Sequence, residues 1–590
     1  MKAMDGEGGN TDRADERAEG EGANAEPAED ERAGDGRAED EGAEDEGAED
    51  EGAARRRWPL YVAAAIGAVL ALAALGAATG GVAVNDPDVW WVAAAGRASA
   101  WPPLDANHFS FTAPDAPWVF HEWLAGPAYA AGLEGLGARF LAWVALAGLL
   151  LQGALVLFAA LRGPAGGALS PEPSPERSPE PSASTEERAA VADPARLRAA
   201  GLLLAGGWAL SVGLHGMSAR VTVWVRALPL GLVLLAFGPR FDLRRALGCL
   251  ALILLWANLH GSFPLAFVLL GAAGLEGHAR ARWGTALAGF GLSFLTPHGA
   301  ALHGLVLDYV LGRSETLAVV HQYVREFQPP WAHLDGLVAA GLVVFALVVL
   351  LAASALRRWP GRAAVVLVLA VLALRHQRHL PLVVLLAVPL LRPALAARLP
   401  PLRLPAPPRT LAALAAGPAV ALGLAAAVFA RPPATGLGGL GFEELAAALP
   451  RSARVFVPMR YGGRLIWLRG EDGVRPFYDP RNDCYPADVA REAFELGRPG
   501  QAARYVREVL ARRGASHALV PEGSPVDEAL RDRWTELGRG GGWVLHAAHA
   551  VAEGAPPASA GPVARRARGD TRRMERPVAG TVARPAARRR

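Results

Sequence analysis

Residues 55–91 read RRRWPLYVAAAIGAVLALAALGAATGGVAVNDPDVWW, and this stretch decides how the rest of the chain is interpreted. Three arginines precede an apolar run from Trp58 to Val84, which is too long for the apolar region of a signal peptide and fits a signal anchor. About 20 apolar residues cross a bilayer, so this run is long enough to span one. Because basic residues collect on the cytoplasmic side, the amino end should be cytoplasmic and Asn85 should leave the membrane on its outer face.

The composition predicts that this span is one of many. The chain has 590 residues, is 52% hydrophobic and contains only two cysteines, which argues against a disulfide framework or a thiolate metal site. We expect an α-helical polytopic membrane protein with about eleven transmembrane helices. The expected spans after the first are Arg139 to Leu161, Ala199 to Met217, Thr222 to Gly238, Arg244 to Leu259, Phe263 to Gly277, Trp283 to Pro297, Gly336 to Leu356, Arg362 to Leu374, Leu380 to Leu391 and Thr410 to Ala430. Ala300 to Leu311 is expected on the outer surface, because a crossing there would export the arginines near position 360.

Composition also divides the chain into regions. Residues 1–57 form an acidic head that contains EDEGAEDEGAEDEGA, residues 163–197 a Pro/Ser/Glu-rich linker, and residues 551–590 an Arg-rich tail. All three should be disordered, because they hold too few large apolar residues to form a core. The head could also bind a partner protein, and the arginines of the tail could bind anionic lipid; the sequence leaves both alternatives open. The net charge of +3 is a small difference between head and tail, and neither end interleaves aromatic with basic residues, so no nucleic-acid partner is expected.

The remaining residues form two domains. A membrane domain is predicted over residues 58–430, with residues 85–135 as its first outer loop. Residues 431–550 alternate strand-like and helix-like patterns and predict a small soluble α/β domain outside the membrane. In that domain ARVFVPM and GGRLIWL are predicted as strands, and QAARYVREVLARRG as an amphipathic helix that ends at Gly514.

This threading places many polar groups of the membrane domain at the outer ends of helices. Snorkelling to lipid headgroups would explain single arginines or histidines, but it does not explain short acids and an asparagine on the same side. We therefore expect a common outward-facing cavity. The residues are Asp86, Asp88, His121, Glu122, Arg220, Asn258, His260, His298, Glu315, His321, Glu326, Arg375, His376, Arg378 and His379.

Five motifs of the chain resemble those of a group of bacterial polytopic proteins related to the GT-C superfamily of membrane glycosyltransferases. The motifs are NDPDVWW, FSFTAPDAPWVFHEWL, LWANLHGSF, RHQRHLP and YGGRLIW, so the resemblance extends from Asn85 to about His549. It implies transfer of a sugar from a polyprenyl-phosphate donor, with a catalytic acid in the first outer loop, a role that falls on Asp86 or Asp88. The related pattern usually has a histidine after the paired tryptophans, where this chain has Val92.

The residue types suit that chemistry. A carboxylate partly desolvated by tryptophans can take the proton of an acceptor hydroxyl, so Asp86, Asp88, His121 and Glu122 are the expected catalytic residues. Asp86 and Asp88 can also bind Mg²⁺ or Mn²⁺. Guanidinium and imidazole groups can bind a phosphate leaving group. The expected substrate-binding residues are Arg220, Asn258, His260, Arg375, His376, Arg378 and His379.

The sequence therefore favours a glycosyltransferase-like protein of a bacterial inner membrane. Its expected partners are the bilayer, a lipid-linked sugar donor and a glycan, lipid or protein acceptor on the outer face. A transporter or lipid flippase is a second hypothesis, but transporters place ionisable groups near the bilayer midplane, often in repeated halves. A non-catalytic assembly protein of the cell envelope is a third, and it would not depend on single acids.

Overall fold

The computed structural model describes residues 86–99, 104–162, 193–215, 219–334, 336–400 and 438–549. The acidic head, the predicted first and last spans, most of the linker and the Arg-rich tail lie outside these residues. The helices of the larger, all-helical part are α1 (Asp88–Ala98), α2 (Gly126–Leu136), α3 (Arg139–Arg162), α4 (Pro194–His215), α5 (Thr222–Val225), α6 (Ala227–Ala236), α7 (Leu243–Leu259), α8 (Leu265–Gly274), α9 (Ala279–Leu292), α10 (Ala300–Leu311), α11 (Glu315–Tyr323), α12 (Gly336–Ala355), α13 (Pro360–Arg375) and α14 (Leu380–Ala396).

Helices occupy the predicted span positions that lie within the described residues, but several are short. Two segments, Arg139–Leu161 and Gln377–Ala396, are long and apolar enough to cross a membrane, so the structure does not confirm about eleven spans. Helix α8 has only 10 residues. The segment predicted as one span from Thr222 to Gly238 is interrupted at Arg226, because Pro229 cannot donate a hydrogen bond to the carbonyl of Val225.

Large apolar side chains stay exposed on the outside of the helices. Trp143, Leu347 and Val371 are 54%, 62% and 60% exposed. On α12 the exposed residues Val343, Leu347 and Leu350 recur every three or four positions and so share one face. Soluble monomers rarely expose apolar faces of this kind. The helical part therefore has the surface expected of helices that contact lipid.

Two buried arginines fasten the ends of the helices on the side predicted to be cytoplasmic. Arg282 donates to the carbonyls of Ala273 and Gly238 at 2.9 and 2.8 Å. Arg362 donates to the carbonyl of Phe237 at 3.1 Å and pairs with Glu276 at 2.8 Å. Carbonyls at helix ends have no partner within the helix, and a guanidinium satisfies them and complements the helix dipole. These arginines therefore tie neighbouring helices together besides carrying the positive charge used to predict topology.

The small carboxyl-terminal part contains the predicted mixture of strands and helices. Its elements are α15 (Gly439–Ala447), β1 (Arg454–Phe456), α16 (Met459–Arg469), β2 (Arg475–Pro476), α17 (Ala487–Leu496), α18 (Ala503–Arg513), β3 (His517–Pro521), α19 (Pro525–Leu530), β4 (Trp534–Gly540) and β5 (Trp543–Ala548). The sheet order is β2-β1-β3-β5-β4, with β1 parallel to β2 and β3, and β5 antiparallel to β3 and β4. Gly514 ends α18 with φ 74°, as predicted.

The prediction that GGRLIWL forms a strand is wrong. These residues belong to α16, which buries Gly462, Gly463, Leu465 and Ile466. The two glycines allow close backbone approach: a Cβ on Gly463 would lie 2.9 Å from the Pro87 carbonyl oxygen and 3.1 Å from the Trp91 nitrogen. A short apolar run suits a strand or a helix equally well, and the close packing against α1 favours the helix.

Contacts of α16 join the carboxyl-terminal part to the first outer loop. The guanidinium of Arg464 lies 3.7 Å from the ring centroid of Trp90, and Arg97 donates to the carbonyl of Trp467 at 2.6 Å. A second contact is fully buried. Arg481 pairs with Asp479 at 2.6 Å and donates to the side chain of Asn107 at 2.7 Å. The carboxyl-terminal part therefore contacts both α1, which begins at the two acids, and the loop that follows α1.

Candidate functional site

Two carboxylates at the amino end of α1 share one arginine. Asp86 lies just before the helix, Asp88 is its first residue, and the carboxylate of Asp86 accepts the backbone N–H of Asp88 at 3.0 Å. Arg220 Nε lies 2.5 Å from Asp86 Oδ2 and 3.2 Å from Asp88 Oδ2. The stretch NDPDVWW thus delivers both acids to a single guanidinium, next to two buried tryptophans.

A third carboxylate reaches the same guanidinium from a distant turn. Glu326 lies in the 3₁₀ turn Arg325–Phe327 that follows α11, and its Oε2 accepts a hydrogen bond from Arg220 Nη1 at 2.9 Å. Its other oxygen lies 3.8 Å from Arg378 Nη1. We call Asp86, Asp88, Arg220 and Glu326 the carboxylate–arginine cluster.

The carboxyl groups of this cluster differ in proton affinity. Burial raises the pKa of Asp88 to about 7, and Asp86 and Glu326 add to this, although Arg220 opposes it. Burial also favours protonation of Glu326, but Arg220 and Arg378 outweigh it and lower the pKa of that carboxyl. Asp88 is therefore the member that can gain and lose a proton near neutral pH, which is what a general base requires.

A second group of titratable residues consists of His121, Glu122 and His260, whose nitrogen and oxygen atoms lie within 4.8 Å of one another. Burial raises the pKa of Glu122 well above its ordinary value and lowers that of His121 to about 4. Burial likewise lowers the pKa of His260. Without a cation, Glu122 is therefore a neutral acid beside two neutral imidazoles.

The hydrogen bonds of His260 decide what this second group can do. Its Nδ1 accepts the backbone N–H of Ser262 at 3.1 Å, so the neutral ring carries its proton on Nε2. That nitrogen lies 3.8 Å from Glu122 Oε1. A protonated Nε2 is not a metal ligand. The geometry therefore suits proton exchange between Glu122 and His260 better than a metal centre.

The other predicted binding residues have different surroundings. The amide of Asn258 donates to the carbonyls of Leu254 and Leu295 and accepts from Trp123, so its polar atoms are used within the fold. His376 Nδ1 contacts the carbonyl oxygen of Phe327 at 2.6 Å, and its ring centroid lies 6.2 Å from that of His379. Their predicted role in binding substrate stays a prediction.

The two arginines predicted to hold a phosphate are not equivalent. The guanidinium of Arg378 lies 4.7 Å from the ring centroid of Phe327, beside the carboxylate–arginine cluster. Arg375 lines a cavity of about 380 Å³ whose other walls are Pro329, Trp331, Val371 and Leu374. Arg378 is thus placed at the cluster, whereas Arg375 faces an apolar space at the end of α13.

Sequence reasoning missed Arg226. This arginine lies at the break between α5 and α6, and its side chain makes no hydrogen bond or ion pair with any described residue. The charges of Arg220, Arg378 and Glu326 act on its guanidinium. The sequence signal for it was a single arginine within an apolar run, because a charged residue in a membrane segment is a candidate functional residue.

Asp483 lies in a turn between β2 and α17. Its Oδ2 is buried and has no hydrogen-bond partner in the described part of the chain, and burial raises its pKa to about 7. Its charge is close enough to Glu122 to raise the pKa of that group. The preceding residue, Asn482, has φ 43°, a conformation that asparagine tolerates. The carboxyl-terminal part thus contributes an acid to the site.

No protein-family model matches the chain, and no curated protein is similar to it by sequence. Among solved structures it is similar to the archaeal oligosaccharyltransferase AglB from Archaeoglobus fulgidus in complex with an inhibitory peptide and a dolichol-phosphate, at 12% identity, covering 77% of this chain and 69% of that chain, with a TM-score of 0.43. It is also similar to the Archaeoglobus fulgidus oligosaccharyltransferase in complex with Zn and sulfate, at 13% identity, covering 77% and 68%, with a TM-score of 0.38. These values describe a partial likeness in fold and establish neither family nor activity.

Proposed function

We propose that this protein is a membrane glycosyltransferase that transfers a sugar from a polyprenyl-phosphate donor to a glycan, lipid or protein acceptor. We place it in a bacterial inner membrane, with the amino end in the cytoplasm and the carboxyl-terminal domain outside. The observation that carries the proposal is the convergence of Asp86, Asp88 and Glu326 on Arg220, where burial raises the pKa of Asp88 to about 7. The exposed apolar helix faces support the membrane location.

The proposed reaction uses the residues of the site as follows. The carboxylate of Asp88 accepts the proton of an acceptor hydroxyl, and the resulting oxygen nucleophile attacks the anomeric carbon of the donor. The bond between that carbon and the phosphate oxygen breaks, and the phosphate leaves with the electron pair. Arg226 and Arg378 stabilise the charge on the leaving phosphate. The proton taken up by Asp88 then passes to solvent, directly or by way of Glu122 and His260, and the Asp88 carboxylate is restored.

Two alternatives predict different behaviour. A transporter or flippase would show altered substrate affinity or coupling when Asp88 is neutralised, without any loss of a chemical step. An assembly protein would show no change. The cluster favours the enzyme over both, because burial raises the pKa of Asp88 to about 7 while Arg220 holds this carboxyl group beside Asp86 and Glu326.

The test is transfer of a labelled sugar from a lipid-phosphate donor by the purified full chain in liposomes, after a donor and acceptor have been found by screening. Asp88→Asn keeps the shape of the side chain but cannot take up the proton, so turnover should fall by roughly 100-fold or more while donor binding changes little. Asp105→Asn is the matched control, because Asp105 is an exposed acid of the same loop. Equal turnover of Asp88→Asn and the parent protein would reject the proposed mechanism.

A further inference from the structure

The sequence pattern predicts Mg²⁺ or Mn²⁺ at Asp86 and Asp88, and the structure permits a direct check of whether these residues fit an ion. Each of the four carboxylate oxygens contacts a nitrogen of the protein. Asp86 Oδ1 accepts the Asp88 N–H at 3.0 Å, and Asp88 Oδ1 accepts Trp91 Nε1 at 3.3 Å. The two Oδ2 atoms both face Arg220 Nε. A guanidinium nitrogen therefore lies where a bridging ion would have to lie.

The charges around the cluster also balance without an added ion. Within the described residues, three carboxyl groups, those of Asp86, Asp88 and Glu326, contact Arg220 directly. Two further arginines, Arg226 and Arg378, have Glu326 among their nearest charges. Three acids thus face three permanent cations. A divalent ion would add two positive charges to a balanced site and would displace Arg220, whose partly buried guanidinium would then lack its partners.

We propose that Arg220 is the permanent counter-cation of the Asp86–Asp88 pair and that the protein works without a divalent ion bound between these two carboxylates. A guanidinium never deprotonates in a protein, and its planar fork reaches all three acids at once. An arginine in this position fixes the geometry of the pair independently of the metal content of the medium. This inference concerns ion binding and does not depend on the proposed transferase activity.

The experiment is a titration of the purified full chain in detergent with Mn²⁺, in which free Mn²⁺ is measured by electron paramagnetic resonance. The many carboxylates of the acidic head are expected to bind Mn²⁺ weakly, so the informative quantity is the difference between proteins that share this head. The parent protein and the Asp86→Asn/Asp88→Asn variant should give the same binding curve. A site in the parent that the double variant lacks would overturn the proposal, and this comparison requires no change at Arg220.

The Arg220→Gln variant tests the role of the guanidinium. Removal of the cation should create an added Mn²⁺ site, tighter by about tenfold or more than the diffuse binding of the head. Asp86→Asn in the same background should abolish that site. Arg220→Lys, which keeps the charge, and Arg97→Gln, which removes an arginine paired with the exposed Glu471, should gain no site. If Arg220→Gln keeps the melting temperature of the parent and gains no Mn²⁺ site, the proposal is wrong.

Discussion

At the scale of single residues, the arginines of the site differ in whether they form ion pairs. Arg220 forms ion pairs with three acids, whereas the side chain of Arg226 forms none with any described residue. A cation that is desolvated but unpaired is unfavourable until an anion arrives. The fold retains Arg226 at a helix break, where apolar side chains would pack more favourably. Its position therefore favours binding of an anion over a role in folding.

Replacement of Arg226 or Arg378 by glutamine should weaken binding of a polyprenyl phosphate by more than about tenfold, because charge-assisted hydrogen bonds in a partly dry site contribute roughly 1.5 to 3 kcal/mol. Binding can be measured with the purified protein in detergent and a fluorescent lipid phosphate. Arg313→Gln, which removes an exposed arginine, should leave the affinity unchanged. Unaltered affinity in both site variants would remove these arginines from the donor site.

The pH dependence of turnover should report Asp88. A general base acts only when it is ionised, and burial raises the pKa of Asp88 to about 7. Turnover should therefore rise with pH up to about 7 and become constant above it. In Asp88→Asn the residual rate should lose this rise. A profile with the same midpoint in the variant would assign the titration to another group, such as Asp483, whose pKa burial also raises to about 7.

At the scale of elements, packing of α16 against α1 fixes the position of the two acids. The packing depends on Gly463, because any Cβ there would contact the backbone of Pro87 and Trp91. Sequence reasoning could not find this contact. It depends on two segments separated by more than 350 residues, and the pattern of GGRLIW alone does not distinguish a strand from a helix.

Gly463→Val should push α1 away from α16. Overpacking typically costs about 1 to 3 kcal/mol, so the melting temperature should fall, and turnover should fall as Asp86 and Asp88 move with the helix. The matched control is Gly304→Ala, a change within α10 where nothing lies within 4 Å of the added methyl group. It should leave stability unchanged or raise it slightly. Equal melting temperatures and turnover for the two variants would show that the contact does not position the acids.

A buried pair stabilises the carboxyl-terminal domain. Asp527 accepts hydrogen bonds from the N–H of Gly523 and from Arg531, and it contacts His546 Nε2 at 2.8 Å. Burial favours protonation of this carboxyl, but these donors outweigh it and lower its pKa. A group with a lowered pKa stabilises the fold above its unfolded pKa, and this contribution disappears as the pH falls through the folded value.

Asp527→Asn should therefore destabilise the protein by about 1 to 3 kcal/mol at neutral pH, and the difference from the parent should shrink in acid, below its ordinary pKa of 3.8. Denaturant unfolding at several pH values, followed by tryptophan fluorescence, measures this. Asp532→Asn changes an exposed acid nearby and should have no effect. A difference that stays constant across this pH range would show that the ionised carboxylate does not cause the stabilisation.

At the scale of the whole molecule, local sequence patterns predicted the helices and strands, but they did not predict which residues contact one another. Apolar length and turn residues located helices such as α3, α7 and α12, and a small α/β domain was expected from the alternation of strand-like and helix-like patterns. The partner of each charged group was not predictable. Asp86 and Arg220 are 134 positions apart, and Arg220 and Glu326 are 106 apart. The predicted topology placed these residues on one side of the membrane. Which acid pairs with which arginine depends on the packing of the helices.

Sidedness can be tested with introduced cysteines, because Cys249 and Cys484 are both buried. Exposed positions are needed for labelling by a reagent applied from outside. In a cysteine-free background, Asp105→Cys and Arg498→Cys should react with a membrane-impermeant thiol reagent in intact cells, and Arg244→Cys should react only after lysis. Labelling of Arg244→Cys in intact cells would overturn the proposed topology.

The buried contact between Arg481 and Asn107 has a consequence for how this protein can change over generations. The charge of Arg481 is satisfied by Asp479 of its own turn and by an amide from the outer loop, and the same guanidinium stacks against Trp118. A chimera that exchanges only the loop or only the carboxyl-terminal domain with a relative would leave a buried charge without its complement. The two regions should therefore be inherited as one block, and recombination that separates them should be counter-selected.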